Sequence, residues 1–207
     1  MFAYSRKIIA TSTSCLISKQ GPPYMKIPSM SRFQSSIATE SPSVLPAVDL
    51  NQTIHNVEGK VSQCEQIITY TAKSKYHLLN ALNASGCLIS HNNTTYSIPH
   101  NSGLAVLGDA RMAGVLCKWW WGKSPKAHKG QWTQIRHDKC GNGFLAQLGR
   151  EKGLHECIIL SPGAIVVSDK MVATLIEALC GAIYLDGGEE ELERVMRKLD
   201  FHQHQYL

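Results

Sequence analysis

Ser168 to Gly188 reads SDKMVATLIEALCGAIYLDGG, and the fold turns on this stretch. From Met171 to Leu185 nearly every position is apolar or small, and Glu177 is the only charge. The run describes a buried helix. Ser168 offers an N-cap, Asp169 a first-turn carboxylate, and Asp186-Gly187-Gly188 a glycine stop. Three and four residues from Glu177 stand Ala173, Thr174, Cys180 and Gly181, none of which neutralises a carboxylate. Burying an unpaired carboxylate is costly. Glu177 must therefore be protonated, paired at long range, or bound to a metal.

Asn101 to Trp121, NSGLAVLGDARMAGVLCKWWW, poses the same problem on a second helix-like stretch. Asp109 has Ala105 one turn before it and Met112 one turn after. Two lone carboxylates on two apolar helices are economically explained if they meet around a divalent cation. The plainer reading gives each an arginine, Arg111 or Arg136, and a structural role only. Gly108 and Gly114 each weaken the helix by about 1 kcal/mol relative to alanine. Glycine inside a helix lets another backbone approach closely, and the Glu177 helix is the expected neighbour.

The 207 residues are 43% apolar and 18% charged with a net charge of +5, which describes one globular domain with extensions. That charge permits a polyanionic partner without requiring one. No apolar run is read as a membrane span, and no membrane partner is expected. The seven cysteines are scattered, odd in number and free of C-x-x-C pairs, which excludes a disulfide framework and a zinc knuckle and fits a reducing compartment. The first 39 residues hold no Asp or Glu, carry Arg6, Lys7, Lys19, Lys26 and Arg32, and include eight serines. This is the composition of a mitochondrial transit peptide, and the matrix is the expected location. The organisation expected is a leader over 1–40, a linker over 41–57, a helical domain over 58–200 and a tail over 201–207.

Within the domain, apolar spacing predicts helices over roughly 58–68 and 74–84. The polar stretch 83–101 reads as a loop. From Lys118 to Lys139 there are six basic residues, Lys118, Lys123, Lys126, Lys129, Arg136 and Lys139, and one acid, Asp138. Trp119, Trp120, Trp121 and Trp132 lie among them, and basic residues interleaved with aromatics suit a nucleic-acid backbone. Consecutive helical residues point different ways, so some of these tryptophans must plug the core. Gln131 to Leu148 reads as helical, with Gly141 and Gly143 placed to bend or divide it. Glu189 to Leu199 reads as a surface helix with Glu190–Arg194 and Glu193–Arg197 pairs. His202 and His204 are expected to be solvated. In all, about seven helices and few or no strands make an all-α fold.

The motif Leu104-Ala105-Val106-Leu107-Gly108-Asp109-Ala110, followed by EALCGAIYLDGG over Glu177 to Gly188, closely resembles the ribonuclease III catalytic domain. Thr133 to Arg136, Asn142 to Ala146, Gly153-Leu154 and Tyr76 to Leu82 extend the resemblance over about 60–200. It implies an all-helical, homodimeric domain that hydrolyses double-stranded RNA with magnesium or manganese. Asp109 and Glu177 are then the catalytic and metal-binding residues. The sequence departs from the family at Ala105 and Thr174, where the family has Glu and Asp, and acidic positions at Ser102 and Gly143 are also lost. A C-terminal double-stranded-RNA-binding domain is not expected. Magnesium can be held by one or two carboxylates plus substrate phosphate, so any ion would be weakly held and dependent on RNA. The leading expectation is an RNase III-type endoribonuclease. The alternative is a catalytically degenerate RNA-binding protein of the mitochondrial large ribosomal subunit. A third reading is an inactive subunit paired with an active chain.

Overall fold

A computed structural model describes residues 53–123 and 128–207. The elements are β1 (Thr53–Ile54), α1 (Glu58–Ile68), α2 (Lys75–Leu82), β2 (Leu88–His91), β3 (Thr94–Tyr96), α3 (Ser102–Lys123), α4 (Lys129–Cys140), α5 (Asn142–Glu151), a 3-10 turn (Leu154–Cys157) and α6 (Asp169–Lys198).

The SDKM…LDGG stretch forms the axis of the described domain. Ser168 accepts a hydrogen bond from Met171 N and starts α6 as an N-cap should. Val172, Ala173, Leu175, Ile176, Ala178 and Leu179 are all buried, because α2, α3 and α5 pack around this helix. By length and composition α6 could cross a membrane, yet it is the core helix here. The expected glycine stop is a break within one continuous run. Gly188 sits at φ 80°, ψ −172°, a conformation that side chains disfavour, and separates the apolar half from an amphipathic half. On that second half the pairing differs from the i,i+4 expectation. Arg194 bonds Glu191 at 2.8 Å, Glu193 turns to Lys118, and Arg197 lies over the Trp119 ring at 4.4 Å.

α3 crosses α6 at glycines. A Cβ on Gly108 would lie 1.7 Å from the Glu177 carbonyl oxygen, and one on Gly181 would lie 2.6 Å from the Leu104 oxygen. Backbones in contact leave no room for a methyl on either side, so the expectation at Gly108 holds. Gly114 has open space around it.

The stretch 83–101 is more than a loop. β2 pairs with β3 antiparallel and with β1 parallel, in a three-stranded sheet. Asn92 and Asn93 both have positive φ, 48° and 60°, the conformation of a tight hairpin turn that asparagine tolerates. The 129–151 segment is divided as expected. α4 ends at Cys140, Gly141 is extended, and α5 begins at Asn142. Lys129 opens α4 behind a capping box in which His128 accepts from Gly130 N and Gln131 accepts from His128 N.

The tryptophans divide their work. Trp120 is buried and stacks on Trp132 with centroids 5.7 Å apart. Trp119 donates to Glu193 at 3.2 Å, and Trp121 is 71% exposed. The tail is packed: Phe201 is fully buried against Phe144, and the His204 Nε2 lies 3.3 Å from Asp138, in place of the solvated histidine expected there.

The C-terminal motif also fastens the N-terminal helices. Asp186 accepts from the Tyr70 hydroxyl at 2.5 Å, from Lys73 N at 2.8 Å and from Ser74 N at 2.7 Å. Ser74 is the residue before α2 and makes no side-chain cap of its own. A carboxylate from α6 therefore satisfies amides at the entry to α2 that would otherwise be orphaned.

Candidate functional site

The glycine crossing sets the candidate site. Gly108 touches the backbone of Glu177, and Asp109 is the next residue on α3. Asp109 and Glu177 are each half-buried. Burial, and after it the charge of Asp109, holds the Glu177 carboxyl above the ordinary carboxylate range. The two acids thus share one electrostatic environment. The plainer reading, an arginine for each, fails among the described residues. Arg111 lies over the Tyr184 ring at 4.1 Å, and neither acid has an ion-pair or hydrogen-bond partner there.

Cysteines complete the surroundings, and no local pattern in the chain announces the first. Cys140, at the end of α4, has its thiol pushed up to about 11 by burial and by Asp109 and Glu177, against the opposing charge of Arg136. Cys180 is pushed up to about 12 by burial, then by Cys140, Glu177 and Asp109. Neither sulfur suits magnesium, which takes oxygen ligands. Ala105 is buried and Thr174 half-buried. Among the described residues no group of three or more His, Cys, Asp or Glu side chains is gathered as a metal site. The donor set does not fit a resident magnesium ion. Asp109 and Glu177 are the two carboxylates at the crossing, burial and the charge of Asp109 oppose ionisation of Glu177, and Ala105 and Thr174, one turn before them on their helices, supply no carboxylate.

The five basic candidates among the described residues differ in what holds them. Lys118 bonds Glu189 at 3.0 Å and also Glu193, which neutralise it. Lys123 donates to the Leu207 carbonyl. Lys126 lies outside the described residues. Lys139 departs furthest from the expected role. It is 7% exposed, with its ammonium 4.2 Å above the Phe144 ring, and burial holds it below the ordinary lysine value against the charges of Asp138 and Asp200. A lysine in that position is a core residue and presents no charge to a phosphate. Lys129 and Arg136 are exposed and lack a carboxylate partner among the described residues.

The Ribonuclease III domain family model matches residues 102–188, which span both motif helices and everything between them. Ribonuclease 3 of Proteus mirabilis is 30% identical over 142 residues, covering 67% of this chain and 59% of the relative. Ribonuclease 3 of Vibrio vulnificus is 32% identical over 101 residues, covering 47% of this chain and 45% of the relative. The chain thus spans about half the length of the curated relatives it matches. In structure it is similar to the nuclease domain of ribonuclease III from Campylobacter jejuni, with a TM-score of 0.54 at 24% identity, covering 70% of this chain and 95% of that one. With the family model resting on its two crossing helices and the corresponding fold around them, the chain carries a domain of the ribonuclease III family.

Proposed function

We propose that this chain holds double-stranded or structured RNA through its ribonuclease III fold without hydrolysing it at an enzyme's rate, as a component of the mitochondrial large ribosomal subunit. One observation carries the reading. Asp109 and Glu177 stand without a third metal-binding side chain among the described residues, and Ala105 and Thr174 are the positions at which the resemblance would put acids. A loss of even 3 kcal/mol of transition-state stabilisation slows hydrolysis by roughly two orders of magnitude. The acid-free leader is the ground for the matrix location. Self-pairing belongs to the same reading, and Val106 on α3, 74% exposed, offers an apolar contact for a second copy.

A second reading, duplex hydrolysis, has one observation in its favour: the two retained acids lie close enough for Asp109 to perturb Glu177. Incubation of the protein with labelled duplex RNA and magnesium or manganese separates the two. RNA binding with no fragments, and co-sedimentation with the large ribosomal subunit, is the expected result. Staggered fragments that vanish in Asp109→Asn and Glu177→Gln would establish the nuclease instead. Fragments only in the presence of a second RNase III chain would place this one as an inactive subunit.

A further inference from the structure

We propose that a hollow between the starts of α3 and α6 binds a phosphate oxyanion of RNA directly, with no metal ion between them. This rests on the RNA-holding reading above and names a contact that would serve it. The hollow has a volume of about 220 Å3 and is lined by Ala84, His100, Asn101, Lys170, Met171 and Thr174. At ~30 Å3 per water it has room for about seven waters, or for a phosphodiester with part of its ribose.

Its chemistry is one-sided. No Asp or Glu lines it. Lys170 is exposed, and its ammonium has no partner among the described residues. The neighbouring acid, Asp169, is taken by Arg150 at 2.7 Å and does not neutralise it. The His100 Nδ1 accepts from Ser102 N at 3.1 Å. The hydrogen of the neutral ring is therefore on Nε2, which donates whether or not the imidazole is charged. Thr174 adds a hydroxyl. Asn101 Oδ1, the acceptor that would oppose an anion, is shielded from solvent, and Nδ2 of the same amide is held by the Ala81 carbonyl at 3.0 Å. Three donors and no exposed carboxylate make an anion site.

Its place in the fold gives the site a role. Thr174 is one turn before Glu177 on α6, so the hollow adjoins the carboxylate pair. With an acid at 174, a phosphate could approach only through a bridging cation. With Thr174 there and a methyl at Ala105, Lys170 and His100 meet the phosphate unopposed. The residues that weaken the metal site are the ones that open the anion site.

The test is fluorescence anisotropy of the full-length protein with a labelled RNA hairpin in EDTA, across a salt series. The wild type is expected to bind without magnesium. Lys170→Ala should lower affinity by about three- to ten-fold and reduce the salt slope by about one, as loss of one phosphate contact does. Thr174→Asp should weaken binding in EDTA and make it recover on addition of magnesium. Thermal unfolding of both variants checks that they fold. If the wild type binds RNA and Lys170→Ala keeps the same affinity and slope, the inference is overturned while the RNA reading stands. If the wild type binds no RNA, that reading falls and the inference falls with it. If Lys170-dependent binding is seen for inorganic phosphate or adenosine monophosphate and not for RNA, the ligand is a small phosphate and the RNA contact is overturned.

Discussion

Three donors converge on Asp186, two of them backbone amides at the entry to α2 and one the Tyr70 hydroxyl. Burial opposes its ionisation, but the bonds from Tyr70, Lys73 and Ser74 prevail and hold the carboxyl below its ordinary value of 3.8. A depressed carboxylate contributes stability that is whole above its unfolded value and is lost as pH falls through the folded one. Asp186→Ala should therefore cost about 2 kcal/mol at neutral pH, allowing for partial solvent access. The gap from wild type should narrow as the pH drops below 3.8. Urea unfolding at neutral and acidic pH measures both. An Asp186→Ala penalty that stays constant with pH would show that the charge of Asp186 is irrelevant to its role. Lys139 illustrates the limit of reading single residues from sequence. In the chain it belongs to a basic run, but Phe144 and the packed tail around Phe201 put it inside, and no local pattern announces a contact with residues beyond the central helix.

Helices were legible where caps and period agreed. α1 and α2 fall where the apolar spacing placed them, and Gly141 divides α4 from α5. The strands were missed because LISH and TTY are short and mostly polar. The signal that could have found them was the Asn92-Asn93 pair, whose left-handed conformations close the hairpin. The meeting of Asp109 and Glu177 was legible because the glycine that permits it, Gly108, sits beside the acid in sequence. Cys140 was not legible, since it reaches the pair only through the way α4 packs. The crossing itself can be tested by contrast. Gly108→Ala puts a methyl into the Glu177 carbonyl and should destabilise by about 3 kcal/mol or more. Gly114→Ala, on the same helix with open space around it, should stabilise by up to about 1 kcal/mol. Thermal melts of the two variants read out the difference. Equal effects would mean that the helices do not touch at Gly108.

For the whole molecule, the proposed reading makes a calorimetric prediction. A protein that bound magnesium a hundred-fold below the added concentration would gain about 2.7 kcal/mol, a shift of several degrees in a domain of this size. Without RNA, magnesium at matched ionic strength should move the melting temperature by less than about one degree. A larger upward shift, absent in Glu177→Gln, would revive a resident metal and with it the nuclease. The Asp186 latch has a consequence of another kind, in time. Its partners at Tyr70 and Ser74 precede it by 116 and 112 residues. Lys60 likewise reaches forward to the carbonyls of Glu156 and Ile158. During synthesis α1 and α2 emerge with only nearer partners to hold them, such as Asn92 N on Glu58 and Asn101 on the Ala81 carbonyl, so the N-terminal half stays half-fastened and open to chaperones or proteases until the last helix leaves the translating ribosome.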